Sequence, residues 1–285
     1  MVRQFLDRGR RRRYLALALP WLTVSAGAAG ADAVPTPPDL FPQDAASYLL
    51  MSDGRLLAAR APDRPLPIAS LTKIMTALLA VESGSAPDRP VRVSARAAQE
   101  TGTRLGLRRG ERLRFEDLLA ATLIGSANDA CHALADTVAG SPARFVARMN
   151  ERARALKLEH TQFANPCGHD TPANRSTARE LAALALVAMQ QPRIRALVGE
   201  AHAELHTLDE PPRRFALDNK NALIGRYAGA AGIKSGTTPA AGKCLVALAQ
   251  REPHWALLVL LNAAERWWTA VAMLDAAFAA AQRSP

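Results

Sequence analysis

Three short runs hold residue types that together could carry nucleophilic chemistry at a carbonyl carbon. In "PIASLTKIMTALLA" (67–80), Ser70 and Lys73 stand three residues apart at the start of an apolar stretch. A serine hydroxyl is a poor nucleophile until a base removes its proton. Residues i and i+3 share a helix face, so Lys73 can reach the Ser70 oxygen. Burial or a neighbouring cation lowers a lysine pKa enough for it to serve as that base. At the head of the helix, Ser70 would also act as its cap, with backbone N–H groups facing a developing oxyanion. The second run, "IGSAND", supplies Ser126 to relay a proton to a leaving group and Asn128 to hold a peptide and the lysine. In the third, "GIKSGTT", Lys234 and Ser235 can bind a carboxylate, and Gly236 lets a substrate approach the strand closely. Each run alone reads as ordinary structure: a capped helix, a polar turn, a strand ending in a turn. Their combination in this order is what is specific.

The elements that must position these residues follow from periodicity. "ASYLLMSDGRLLAAR" reads as a hairpin turning at Ser52-Asp53-Gly54. A helix is predicted from Ser70 to about Val81, ended by "ESGSAPDRP", and "VRVS" reads as a short strand. Apolar residues recur at helical spacing from Phe115 to Val138, interrupted by "GSAND", and further helices are predicted over about 142–157 and 177–190. Beyond Arg195 the pattern turns to strands: "AHAELHTL", "RRFALDN", "AGIKSG", "KCLVALAQ" and "HWALLVLLN", then a final amphipathic helix over 266–282. Strands from both chain ends around a helical centre predict an α+β fold, an antiparallel β-sheet flanked by helices beside a mostly helical subdomain.

The 285 residues are 49% apolar, which excludes disorder and provides for a proper core. Residues 1–33 read as a secretory signal peptide: an arginine-rich head, a short apolar run from Tyr14 and small residues ending at Ala33. The Arg-Arg-Arg-Tyr-Leu run also leaves twin-arginine export open. Residues 34–44 are a proline-rich linker, and 45–285 the remaining domain. Without the leader's six arginines and two acids, 30 basic groups face 24 acidic ones, a net +6 that can favour an anionic partner such as a cell wall. No basic block interleaved with aromatics supports nucleic-acid binding. The six histidines form no metal motif, and no metal or other cofactor is expected. Cys131, Cys167 and Cys244 permit at most one internal disulfide in an exported chain, with small buried residues as the preferred reading.

The three runs resemble the active-site signature of the penicillin-interacting serine enzymes, Ser-x-x-Lys, Ser-x-Asn and Lys-Thr/Ser-Gly. From about Ala45 to Phe278 the chain is similar to the low-molecular-mass penicillin-binding proteins of the D-alanyl-D-alanine carboxypeptidase and endopeptidase family. "FANPCGHD…STARELAALA", "NKNALI" and "GIKSGTTPAAGKCLVALA" carry the likeness, and "AAGKCLV" looks most like the penicillin-binding protein 7 type endopeptidases. The resemblance implies acylation of Ser70 by a D-alanyl peptide of peptidoglycan, followed by hydrolysis. It makes Lys73 the base, Ser126 and Asn128 the second element, and Lys234, Ser235, Gly236 and Thr237 the substrate strand, with Thr237 N–H completing an oxyanion hole beside Ser70 N–H. Ser235 departs from the commoner threonine but keeps the hydroxyl. The expected partners are peptidoglycan stem peptides and β-lactams as covalent inhibitors, in a periplasm, with no permanent membrane anchor. Lys220 and Arg226 could assist a carboxylate or be solvated loop charges. A class A β-lactamase would need a glutamate followed four residues later by asparagine between the second and third runs. Glu151, Glu159, Glu180, Glu200, Glu204 and Glu210 all lack it. Endopeptidase is the leading expectation, with carboxypeptidase and a non-catalytic peptidoglycan-binding protein as the rivals.

Overall fold

The computed structural model describes residues 38–283; the leader over 1–33 and the first residues of the linker lie outside them. Ser52-Asp53-Gly54 turns the chain as the sequence predicts. Asp53 (φ 48°) and Gly54 (φ 79°) both take positive φ, the pattern of a type I′ turn whose twist matches its strands. They join β1 (Ala45–Ser52) to β2 (Arg55–Arg60). β3 (Leu66–Pro67) leads into a 3₁₀ turn, Ala69–Thr72, and then α1 (Lys73–Glu82). The short β4 (Pro90–Arg92), α2 (Ala95–Ala98) and β5 (Arg112–Arg114) precede the helical centre, α3 (Phe115–Leu123), α4 (Asn128–Ala139) and α5 (Pro142–Ala155). After β6 (Arg175–Ser176) come α6 (Ala178–Met189), α7 (Pro192–Val198) and the pair β7 (His202–His206) and β8 (Arg214–Asp218). The chain ends in β9 (Ala230–Thr238), β10 (Gly242–Arg251), β11 (His254–Ala263) and α8 (Arg266–Arg283).

Five strands form one antiparallel sheet in the order β2-β1-β11-β10-β9, so the expected α+β architecture stands. Its central strands are apolar on both faces because both faces are covered. Tyr48, Leu50, Leu258 and Leu260 pack with Met273, Leu274 and Phe278 of α8 on one side. Leu49, Leu257, Val259 and Leu261 join α1, α3 and α6 in the larger core on the other. Each such leucine removed from water contributes about 1.5–3 kcal/mol.

Helix ends follow their local chemistry. Ser141 caps α5 by accepting the Arg144 N–H, with Pro142 as its first residue. Thr177 caps α6 through Glu180 N–H, and α4 ends at Gly140 in the left-handed conformation. Among the described residues no helix is long and apolar enough to cross a membrane.

One local expectation is corrected. Ser70 does not cap a helix: it lies inside the 3₁₀ turn, α1 begins only at Lys73, and neither element has a side-chain cap. The cause is Ala69, whose φ of 48° redirects the chain just before the serine. A 3₁₀ turn eclipses i and i+3 side chains, so Lys73 stacks over Ser70 more directly than an α-helix would place it.

Candidate active site

Lys73 occupies the centre of the site. Its side chain is fully buried, at 0% exposure, and Nζ has three oxygen partners: Ser70 Oγ at 3.0 Å, Asn128 Oδ1 at 2.7 Å and the Cys167 carbonyl at 2.6 Å. Two of these oxygens can only accept, while the Ser70 hydroxyl can donate or accept. A neutral amine has two N–H groups and one lone pair, which this arrangement satisfies when the Ser70 O–H points at nitrogen. Burial holds the Lys73 ammonium well below the usual lysine range; the nearby Lys234 charge pushes the same way and Glu100 opposes them.

The second lysine, Lys234 on β9, is also buried. It donates to Ser126 Oγ at 2.9 Å and to the Ser235 carbonyl at 2.8 Å. Burial, then repulsion from Arg266 and Lys220, brings its pKa down to about 7. Ser126 takes φ of 58°, a left-handed conformation unusual for serine, at the break between α3 and α4. Such outliers persist only where surrounding contacts hold them. Asn128, two residues on, donates to the Thr101 carbonyl at 2.6 Å as well as accepting from Lys73.

Gly236 acts differently from the sequence expectation. A Cβ there would lie 2.8 Å from Ser70 N and 3.0 Å from Ala69 Cβ. The close approach is therefore by the chain's own serine turn, seated directly on β9. Ser235 turns its hydroxyl inward, donating to the Lys220 carbonyl at 3.0 Å, whereas Thr237 lies exposed at the mouth. The structure thus brings Ser70, Lys73, Ser126, Asn128, Lys234, Ser235 and Gly236 into one cluster with Thr237 at its rim. Lys220 reaches it through its carbonyl and its charge. The side chains of Lys220 and Arg226 are exposed.

Several participants escaped the sequence reading. Arg266, at the start of α8, donates through Nη1 to the Gly236 carbonyl (2.7 Å), Thr237 Oγ1 (3.0 Å) and the Cys244 carbonyl (3.0 Å). The Asp129 carboxylate accepts N–H bonds from Leu105, Gly106 and Leu107, holding the loop before β5 against α4. Glu100 is shared by His132 and His169. Cys131 and Cys167 form a disulfide, while Cys244 stays free and buried. The cysteine count allows the one disulfide, and its presence corrects the preferred reading of Cys131 and Cys167 as unpaired small buried residues, which holds for Cys244 alone; the other features depend on partners far away in sequence. Among the described residues no group of three or more His, Cys, Asp or Glu is arranged to hold a metal ion.

Residues 33–265 match the family described as D-alanyl-D-alanine carboxypeptidase. The chain is similar to a D-alanyl-D-alanine endopeptidase of Pseudomonas aeruginosa, 33% identical with 83% of this chain and 78% of the relative covered. It is also similar to the D-alanyl-D-alanine carboxypeptidase DacF of Bacillus subtilis, 34% identical over 81% of this chain, and it spans 61% of that relative's length. The crystal structure of a Streptomyces DD-transpeptidase superposes with a TM-score of 0.79 at 27% identity, covering 86% of this chain and 99% of that one.

Proposed function

The chain belongs to the D-alanyl-D-alanine carboxypeptidase family, Peptidase S11, and on that premise we propose that it is a serine DD-peptidase acting on peptidoglycan stem peptides through a Ser70 acyl-enzyme. The observation that carries this reading is the three-oxygen setting of Lys73, a buried amine with one partner able to give it a proton. Lys73 takes the Ser70 proton as Oγ attacks the D-alanine carbonyl. The negative charge on the carbonyl oxygen is met by the N–H groups of Ser70 and Thr237. Ser126, hydrogen-bonded to Lys234, relays the proton held by Lys73 to the departing amine as the C–N bond breaks, which leaves Lys73 neutral again. Water then attacks the ester, Lys73 takes a proton from it, and that proton passes to Ser70 Oγ as the ester C–O bond breaks and the acid is released. Lys234 and Arg266 supply positive charge for a substrate carboxylate, and Asn128 holds the peptide beside the lysine.

Endopeptidase cleavage of cross-links is the first assignment, supported by the "AAGKCLV" likeness and by the endopeptidase named among the relatives. Carboxypeptidase trimming is the second, supported by the family's own description. Residues 45–285 are the catalytic domain, and residues 1–33 direct export to the periplasm, where the substrate lies. The test is covalent labelling of the protein with a reporter penicillin, wild type beside Ser70→Ala. An adduct confined to the wild type is expected; one that Ser70→Ala retains would refute the mechanism. Incubation with cross-linked dimers and with pentapeptides then separates the two assignments, since only the endopeptidase yields monomers from dimers.

A further inference from the structure

We propose that the Cys131–Cys167 disulfide is a positioning strut for this reaction, keeping the Asn128 side chain and the Cys167 carbonyl together on the Lys73 amine. Those two oxygens come from separate segments, the first turn of α4 and the loop preceding β6. The disulfide bridges these segments. Cys131 lies three residues beyond Asn128 on α4, one turn along the same face. It is bonded to Cys167 with the Cα atoms 5.9 Å apart, and both residues are buried. Cys167 is therefore one end of the strut and, through its own carbonyl, a direct partner of Lys73.

The other ties across this seam are of a weaker kind. Asn165 Oδ1 accepts from the Cys167, Gly168 and His169 N–H groups, which shapes the loop without attaching it to α4. Glu100 joins His132 of α4 to His169 of the loop. That link depends on hydrogen bonds water can replace, and its ends line a cavity of about 490 Å³. Thr76 Oγ1 donates to the Pro166 carbonyl at 2.5 Å, fixing the loop to α1 and not to α4. The covalent bond is the tie of fixed length between the two acceptors. Its absence lets them separate, and a misplacement of about 1 Å beside a reacting group can cost about 10²-fold in rate.

The strut rests on the acyl-enzyme reading above, and the experiment separates the two. Acylation by a reporter penicillin is timed across about pH 5–10 for the wild type, Ser70→Ala, Cys131→Ala and the double variant Cys131→Ala/Cys167→Ala. The cysteine variants are expected to label at Ser70 about 10- to 100-fold more slowly, with the half-saturating penicillin concentration unchanged within about twofold. The acid limb of their profile is expected at lower pH. The charged groups facing Lys73 are Lys234 and Glu100, the latter shared with His132 and His169, and none of these is altered. The ammonium alone loses an acceptor, so the neutral amine persists to lower pH. Folded variants with the wild-type rate and acid limb would overturn the strut and leave the acyl-enzyme standing. A wild type that does not label, or a Ser70→Ala that does, would overturn both. Should the double variant not fold, Cys131→Ala and wild type reduced by a dithiol, with thiols counted by mass spectrometry, give the same comparison.

Discussion

Two lysines lie fully buried in this molecule, and burial pushes each toward neutrality. For Lys234 the pKa of about 7 sets a testable pH dependence. Below that value the side chain is charged and draws a carboxylate; as pH rises through it, the charge is lost in the free enzyme. The half-saturating concentration of a penicillin bearing its carboxylate is therefore expected to climb above pH 7, a climb that a Lys234→Ala variant lacks. Stopped-flow acylation at a series of pH values measures both. Ser70→Ala should lower turnover by roughly 10⁶, as nucleophile removal does elsewhere, with Lys73→Ala nearly as damaging. At this scale the sequence was most readable where chemistry dictates close spacing. Ser70 with Lys73, and Ser126 with Asn128, are neighbours along the chain. Arg266 and Glu100 act across separations that no local pattern announces: 30 residues from Arg266 to Gly236 and 69 from Glu100 to His169.

The long elements could be read from period alone, and α3 to α6 and β9 to β11 lie within a few residues of expectation. What escaped was short. β3, β5 and β6 span two or three residues and α2 four, too few to display a period. The apolar spacing after Ser70 predicts helix, whereas the tight 3₁₀ winding there follows from the φ of Ala69, a backbone state alanine does not advertise. Two predictions belong here. Gly236→Ala must push the serine turn off β9, since its Cβ would lie 2.8 Å from Ser70 N; acylation should fall by about 10²-fold or more while circular dichroism stays unchanged. Asp129→Ala frees the N–H groups of Leu105, Gly106 and Leu107. Hydrogen exchange should quicken at those three amides, and acylation should slow as Thr101 loosens on Asn128.

Over the whole molecule, the sheet is the frame on which the site is assembled. Leu258, buried at the centre of β11 against α8, is expected to cost about 2–5 kcal/mol of stability when changed to Ala, measured by chemical denaturation, with labelling retained under native conditions. The pairing of β1 with β11 joins Ala45 to Ala263. Between them run the serine turn, the Ser126 break and, in its edge position, the strand bearing Lys234. A frame closed by such distant partners has a high contact order, and loop closure must precede the contacts that reward it. The candidate site is then assembled late and all at once: a partly synthesised or partly refolded chain carries Ser70, but not yet the Lys234 that β9 brings to it. On dilution from denaturant, penicillin labelling should recover together with the last tertiary signal and never ahead of it, so the proposed acylation is expected only once the fold is complete.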